Sequence, residues 1–95
     1  MLDLKTVAER LARPESEVMQ ESLRAYLLRE IGLIESALQR YRERYNVFAP
    51  SELRSLIEAG NVAGHPAWED YLEWQNGVDA IADLHSLLLL EASNA

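Results

Sequence analysis

Ninety-five residues with 48% hydrophobic and 26% charged side chains fit one small folded domain and exclude a disordered chain. The absence of cysteine removes disulfides, thiolate catalysis and Cys-ligated zinc together. The net charge of −7 lies wholly in one half: residues 1–45 balance eight Lys/Arg against eight Asp/Glu, whereas residues 46–95 set Arg54 alone against eight acids, a balance that repels phosphate backbones and suits a basic protein surface.

The opening MLDLKTVAER has neither the basic nor the apolar region of a signal peptide. The longest apolar run, Leu87–Leu90, is far short of the ~20 residues of a membrane span, so no membrane partner and a cytoplasmic location are expected. A short helix is predicted within residues 1–13, with Asp3 as N-cap and Leu4, Val7, Ala8 and Leu11 on one stripe. Arg13-Pro14 breaks it, because the residue before proline avoids the α region.

A long helix follows over 14–45, with Met19, Leu23, Leu27, Ile31, Ile34, Leu38, Tyr41 and Tyr45 at steps of three or four. Gly32 inside it suggests a close crossing or a slight bend. A third, short helix over 50–60 starts at Pro50-Ser51 and stops at Gly60. Pro66 opens a last long helix over 66–92, whose predicted inner stripe is Trp68, Tyr71, Leu72, Trp74, Val78, Ile81, His85 and Leu88. The fold class is therefore all-α: a long antiparallel hairpin, the short third helix at its tip and the first helix at its open end. That packing sets Arg40, Arg42 and Arg44 beside Glu69, Asp70 and Glu73.

Four successive helical leucines, Leu87, Leu88, Leu89 and Leu90, sweep about 300° of a helix surface. One neighbouring helix cannot cover them all, which points to self-association, most simply a homodimer.

Enzyme signatures are missing, and neither a catalytic site nor a cofactor is expected. No Glu-x-x-His is present, the pairing Asp70-x-x-Glu73 falls short of a magnesium-type carboxylate set, and no arginine precedes His65 or His85 at the spacing of helical ribonucleases. Ser86 and His85 are helical neighbours pointing about 100° apart, so no nucleophile relay forms through them.

Residues 6–23, TVAERLARPESEVMQESL, have the spacing of a helix-turn-helix, with Ala12 where the turn usually has glycine. Arg13, Ser16, Gln20 and Arg24 are its candidate DNA contacts, although Glu15, Glu17 and Glu21 face the same phosphates unfavourably.

The order of a short helical unit, a long helix, the segment YNVFAPSELRSLIEAG and then HPAWEDYLEW opening a last helix resembles small all-helical prokaryotic antitoxin-like proteins of toxin–antitoxin modules. That resemblance implies neutralisation of a basic, RNA-cleaving toxin encoded nearby. The acidic half would supply the surface through Glu69, Asp70, Glu73, Asp79 and Asp83, with Trp68 or Trp74 as the apolar anchor. The two tryptophans are about 600° of rotation apart, so one should face outward. The alternatives are a dimeric DNA-binding regulator and a helical scaffold protein.

Overall fold

The computed structural model describes residues 1–93, which form four helices: α1 (Leu4–Leu11), α2 (Glu15–Tyr45), α3 (Pro50–Glu58) and α4 (Gly64–Ser93). Among the described residues there is no strand, and no helix is long and apolar enough to cross a membrane.

Local chemistry fixes the helix ends. Asp3 Oδ1 accepts from the Thr6 N–H at 2.8 Å and caps α1. At its other end the Arg13 N–H bonds the Ala8 carbonyl and the Ala12 N–H the Glu9 carbonyl, a Schellman turn that holds Ala12 at φ 56°. Alanine thus occupies a left-handed position that glycine would fill at lower cost. The same turn ends α3, with Gly60 at φ 76° and the Asn61 N–H on the Leu56 carbonyl. At the start of α3, Glu52 reaches back to accept from the Phe48 N–H at 3.0 Å. In α4 the backbone bends at His65 (φ −120°, ψ 125°), so the regular helix runs on from Pro66 as the sequence suggests.

α2 and α4 pack as the predicted antiparallel hairpin, α3 closes its tip against α4, and α1 docks on α2. The register is constant. Tyr45 meets Asp70, Tyr41 meets Trp74, and Leu38 meets Gly77, each step back along α2 matching a step forward along α4. The core lies at the tip end: Leu38, Tyr41, Leu53, Ala67 and Trp74 are buried, with Ile34, Tyr45, Val47, Ile57, Tyr71 and Ile81 packed around them.

Several expected inner positions turn out to be outer ones. Trp68, Leu72, Val78 and His85 are exposed, and the seam of α4 keeps Trp74, Ile81 and Leu88 and adds Ala67, Asp70, Gly77 and Leu84. A small, a charged and a glycine residue hold seam positions because aromatic rings and Leu38 come across from α2 to fill them. On α2, Met19 and Leu23 face solvent, and the seam begins at Leu27. Leu88 turns toward α2, whereas Leu87, Leu89 and Leu90 are left exposed.

The two interior glycines differ. A Cβ on Gly77 would lie 2.7 Å from Leu38 Cδ2, so the absent side chain lets the two long helices close. A Cβ on Gly32 would meet nothing within 4 Å, so neither a close crossing nor any packing need accounts for it. Gly32→Ala should therefore raise unfolding free energy by about 1 kcal/mol through helix propensity alone. Gly77→Val should lower it by about 1–3 kcal/mol through overpacking against Leu38. Urea titrations of the two variants check this, and equal effects of the same sign would contradict it.

Candidate functional site

The end of α2, RYRERY, and the start of α4, WEDYLE, meet at the hairpin tip as expected, but the pairing is more selective than a simple facing of charges. Arg44 Nη1 lies 2.7 Å from Asp70 Oδ2, and the Tyr45 hydroxyl donates to the same oxygen at 2.5 Å. One turn along, the Tyr41 hydroxyl donates to Glu73, while Arg40 donates to the Tyr41 oxygen at 2.7 Å and approaches Glu73 at 3.4 Å. Each carboxylate is thus held by a tyrosine from within the seam and by an arginine from its rim. Arg42 does not join them. It bonds the Phe48 carbonyl at 3.1 Å and lies over the Trp74 ring, 5.8 Å from its centroid. Glu69 pairs within its own helix, with His65 Nδ1 at 3.0 Å, and that hydrogen bond holds its carboxyl below the usual range.

These contacts divide the acidic and aromatic residues that the sequence offers as a partner surface. Trp74 is wholly buried (0% exposed), stacked on Tyr41 at 5.9 Å between centroids, and its indole N–H has no acceptor among the described residues. It is the core tryptophan and leaves the partner set. Asp70 leaves it too, buried beneath Arg44 and Tyr45. Glu69 and Glu73 stay exposed but are already partnered, by His65 and Arg40.

Trp68, Asp79 and Asp83 remain. Trp68 is 42% exposed and stacks on Tyr71 at 5.3 Å. Asp79 and Asp83 are exposed, and the contact made by Asp79 is with Gln75, a turn away at 3.2 Å. At about 100° per residue, Trp68, Leu72, Asp79, Asp83 and Leu90 share the side of α4 that points away from α2. All five are exposed. Leu72, expected on the inner stripe, lies outside it because every side of α4 carries apolar residues, so hydrophobicity does not mark its inner face. The seam becomes visible only from the seven-residue spacing of Ala67, Trp74, Ile81 and Leu88.

At the N-terminal end, Arg13 is enclosed by Glu17 (2.5 Å) and Glu21 (2.7 Å), which raise its pKa further while Arg13 lowers that of Glu21. Arg24 turns to a groove of about 380 Å³ at the open end, lined also by Leu28, His85, Leu88, Leu89 and Glu91. Of the four candidate DNA contacts, Ser16 is exposed and Gln20 half-buried, both without a charge to offer. Among the described residues no group of three or more His, Asp or Glu side chains gathers as a metal site.

The chain belongs to the family described as Uncharacterized protein MJ0235, whose pattern matches residues 1–92. No curated protein and no solved structure matches it.

Burial, first, and the neighbouring carboxylates, second, raise the hydroxyl pKa values of Tyr41 and Tyr45 above the ordinary 10.0. A raised folded value means that the fold favours the neutral phenol. This stabilisation is present below the ordinary value and is lost as pH rises through the folded one. In a tyrosinate absorbance titration Tyr41 and Tyr45 should ionise late, with thermal stability falling over the same range. Tyr41→Phe and Tyr45→Phe should each remove one late step, and a variant that leaves the late phase unchanged would contradict the geometry.

Asp70→Ala should cost about 2–3 kcal/mol, because a buried charged acceptor serves two donors. Asp79→Ala and Asp83→Ala should stay within about 0.5 kcal/mol. Thermal denaturation of the three variants would sink this division if their costs were alike.

Proposed function

We propose that this member of the MJ0235 family is a non-enzymatic interaction protein of antitoxin type, which neutralises a basic protein partner with the outer face of α4. The observation that carries the reading is the line Trp68, Leu72, Asp79, Asp83 and Leu90, exposed along one side of a helix whose opposite side is fixed in the hairpin. The line has apolar ends and an acidic middle. From Leu72 to Leu90 it runs roughly 27 Å at 1.5 Å per residue, enough for one edge of a protein–protein contact.

A partner that handles RNA carries a cationic groove. Asp79 and Asp83, in no ion pair among the described residues, present carboxylates to it without first breaking an internal contact of that kind. The −7 charge of the chain accelerates encounter, and its weight in residues 46–95 orients the approach. Trp68 offers a large aromatic surface of the kind that anchors interfaces, with Tyr71 stacked behind it to limit its freedom. The likeness of sequence layout to antitoxin-like proteins is the reason to name a toxin as the basic partner. The helix-turn-helix-like alternative has less behind it, because Arg13 is already enclosed by two carboxylates.

Co-expression with the product of the adjacent gene, followed by calorimetric titration, tests the reading. Asp79→Lys with Asp83→Lys should abolish binding at unchanged melting temperature. Trp68→Ala should weaken it by roughly tenfold or more. Association should slow steeply with added salt. Binding that survives the double charge reversal would rule out the α4 face.

A further inference from the structure

α2 carries two heptad stripes. The inner one faces α4. About a quarter-turn round the helix, Met19, Leu23, Tyr26, Glu30, Leu33 and Ala37 recur at alternating steps of four and three and form a second stripe. Met19, Leu23, Tyr26 and Leu33 are 44–56% exposed, so this seam is open to solvent.

We propose that the second stripe is the seam of an antiparallel homodimer, in which α2 of one copy packs on α2 of another to give a bundle of two hairpins. Three observations favour a second copy over a different protein. The first is self-complementarity, which a two-fold interface demands. With the axis between Tyr26 and Glu30, Tyr26 lies opposite Glu30 of the second copy, Leu23 opposite its Leu33, and Met19 opposite its Ala37. Every layer is matched, and the large methionine meets the small alanine.

The second is chemical. Tyr26 opposite Glu30 repeats the device that already joins α2 to α4, where Tyr45 donates to Asp70 and Tyr41 to Glu73 across an antiparallel pair. The glutamate in the middle of an apolar stripe thereby acquires a donor and fixes the register, as polar seam residues do.

The third is area and shape. The chain exposes 6867 Å², roughly 1,300 Å² more than the about 5,500 Å² of a compact monomer of this mass. Its radius of gyration is 19.2 Å, against about 12 Å for a compact chain of this length. A standard interface removes about 800 Å² from each partner, well within that excess. The seam lies on α2 and the partner face on α4, so this inference stands or falls separately from the proposed function.

Sedimentation equilibrium on the full chain, with two lysine variants and a cysteine pair, tests it. The wild type should be dimeric. Leu23→Lys should raise the dimer dissociation constant by roughly a hundredfold or more, because each copy loses an apolar contact. Leu87→Lys with Leu90→Lys should leave the dimer intact. The chain has no cysteine, so a mixture of Leu23→Cys and Leu33→Cys chains reports register directly even if Leu23→Lys fails to fold: oxidation should give mainly the mixed disulfide. A monomeric wild type, a dimer dissolved by the Leu87/Leu90 variant but not by Leu23→Lys, or disulfides in statistical proportions would each overturn the proposal.

Discussion

The architecture depends on the register of α2 against α4. Trp74 stacked on Tyr41, Leu38 seated over Gly77, and the Tyr45 hydroxyl on Asp70 fix where each helix meets the other. A slip of one residue would carry Trp74 toward solvent and leave the Asp70 carboxylate buried without its donors. Both outcomes cost several kcal/mol in a domain whose whole stability is of order 5–15 kcal/mol. Tyrosine is suited to this position. Its ring contributes apolar area to the seam while its hydroxyl reaches the carboxylate at the rim, so one side chain packs and pairs at once.

That register sorts the acidic half into working and available charges. Asp70 and Glu73 hold the hairpin together, Glu69 pairs with His65, and among the described residues Asp79 and Asp83 have no ion-pair partner. The same sorting applies to the tryptophans, one in the core and one on the surface. The tip is well packed, while the open end keeps Leu87, Leu89 and Leu90 exposed. The molecule therefore combines a well-packed tip with long helices whose outer sides are exposed.

Much of this was legible from residue spacing. Asp3, Pro14, Pro50, Gly60 and Pro66 mark the helix ends because capping and proline sterics act locally. The meeting of RYRERY with WEDYLE followed from helix lengths alone. The sides of α4 were not legible: leucine, tryptophan and valine occur all round it, and the seam holds alanine, aspartate and glycine, whose suitability depends on the residue opposite. Tyr41 and Tyr45 looked like seam hydrophobes, since a hydroxyl's partner across a hairpin cannot be read from one strand of sequence. Gly32 and Gly77 both lie inside long helices, and only the neighbouring helix tells them apart.

The central claim is that tyrosine–carboxylate pairs set the hairpin register. A double-mutant cycle on Tyr45 and Asp70, using Tyr45→Phe, Asp70→Asn and the double variant in urea unfolding, measures it most directly. The account predicts a coupling on the order of 1 kcal/mol between the two sites. Additivity within about 0.3 kcal/mol would contradict it.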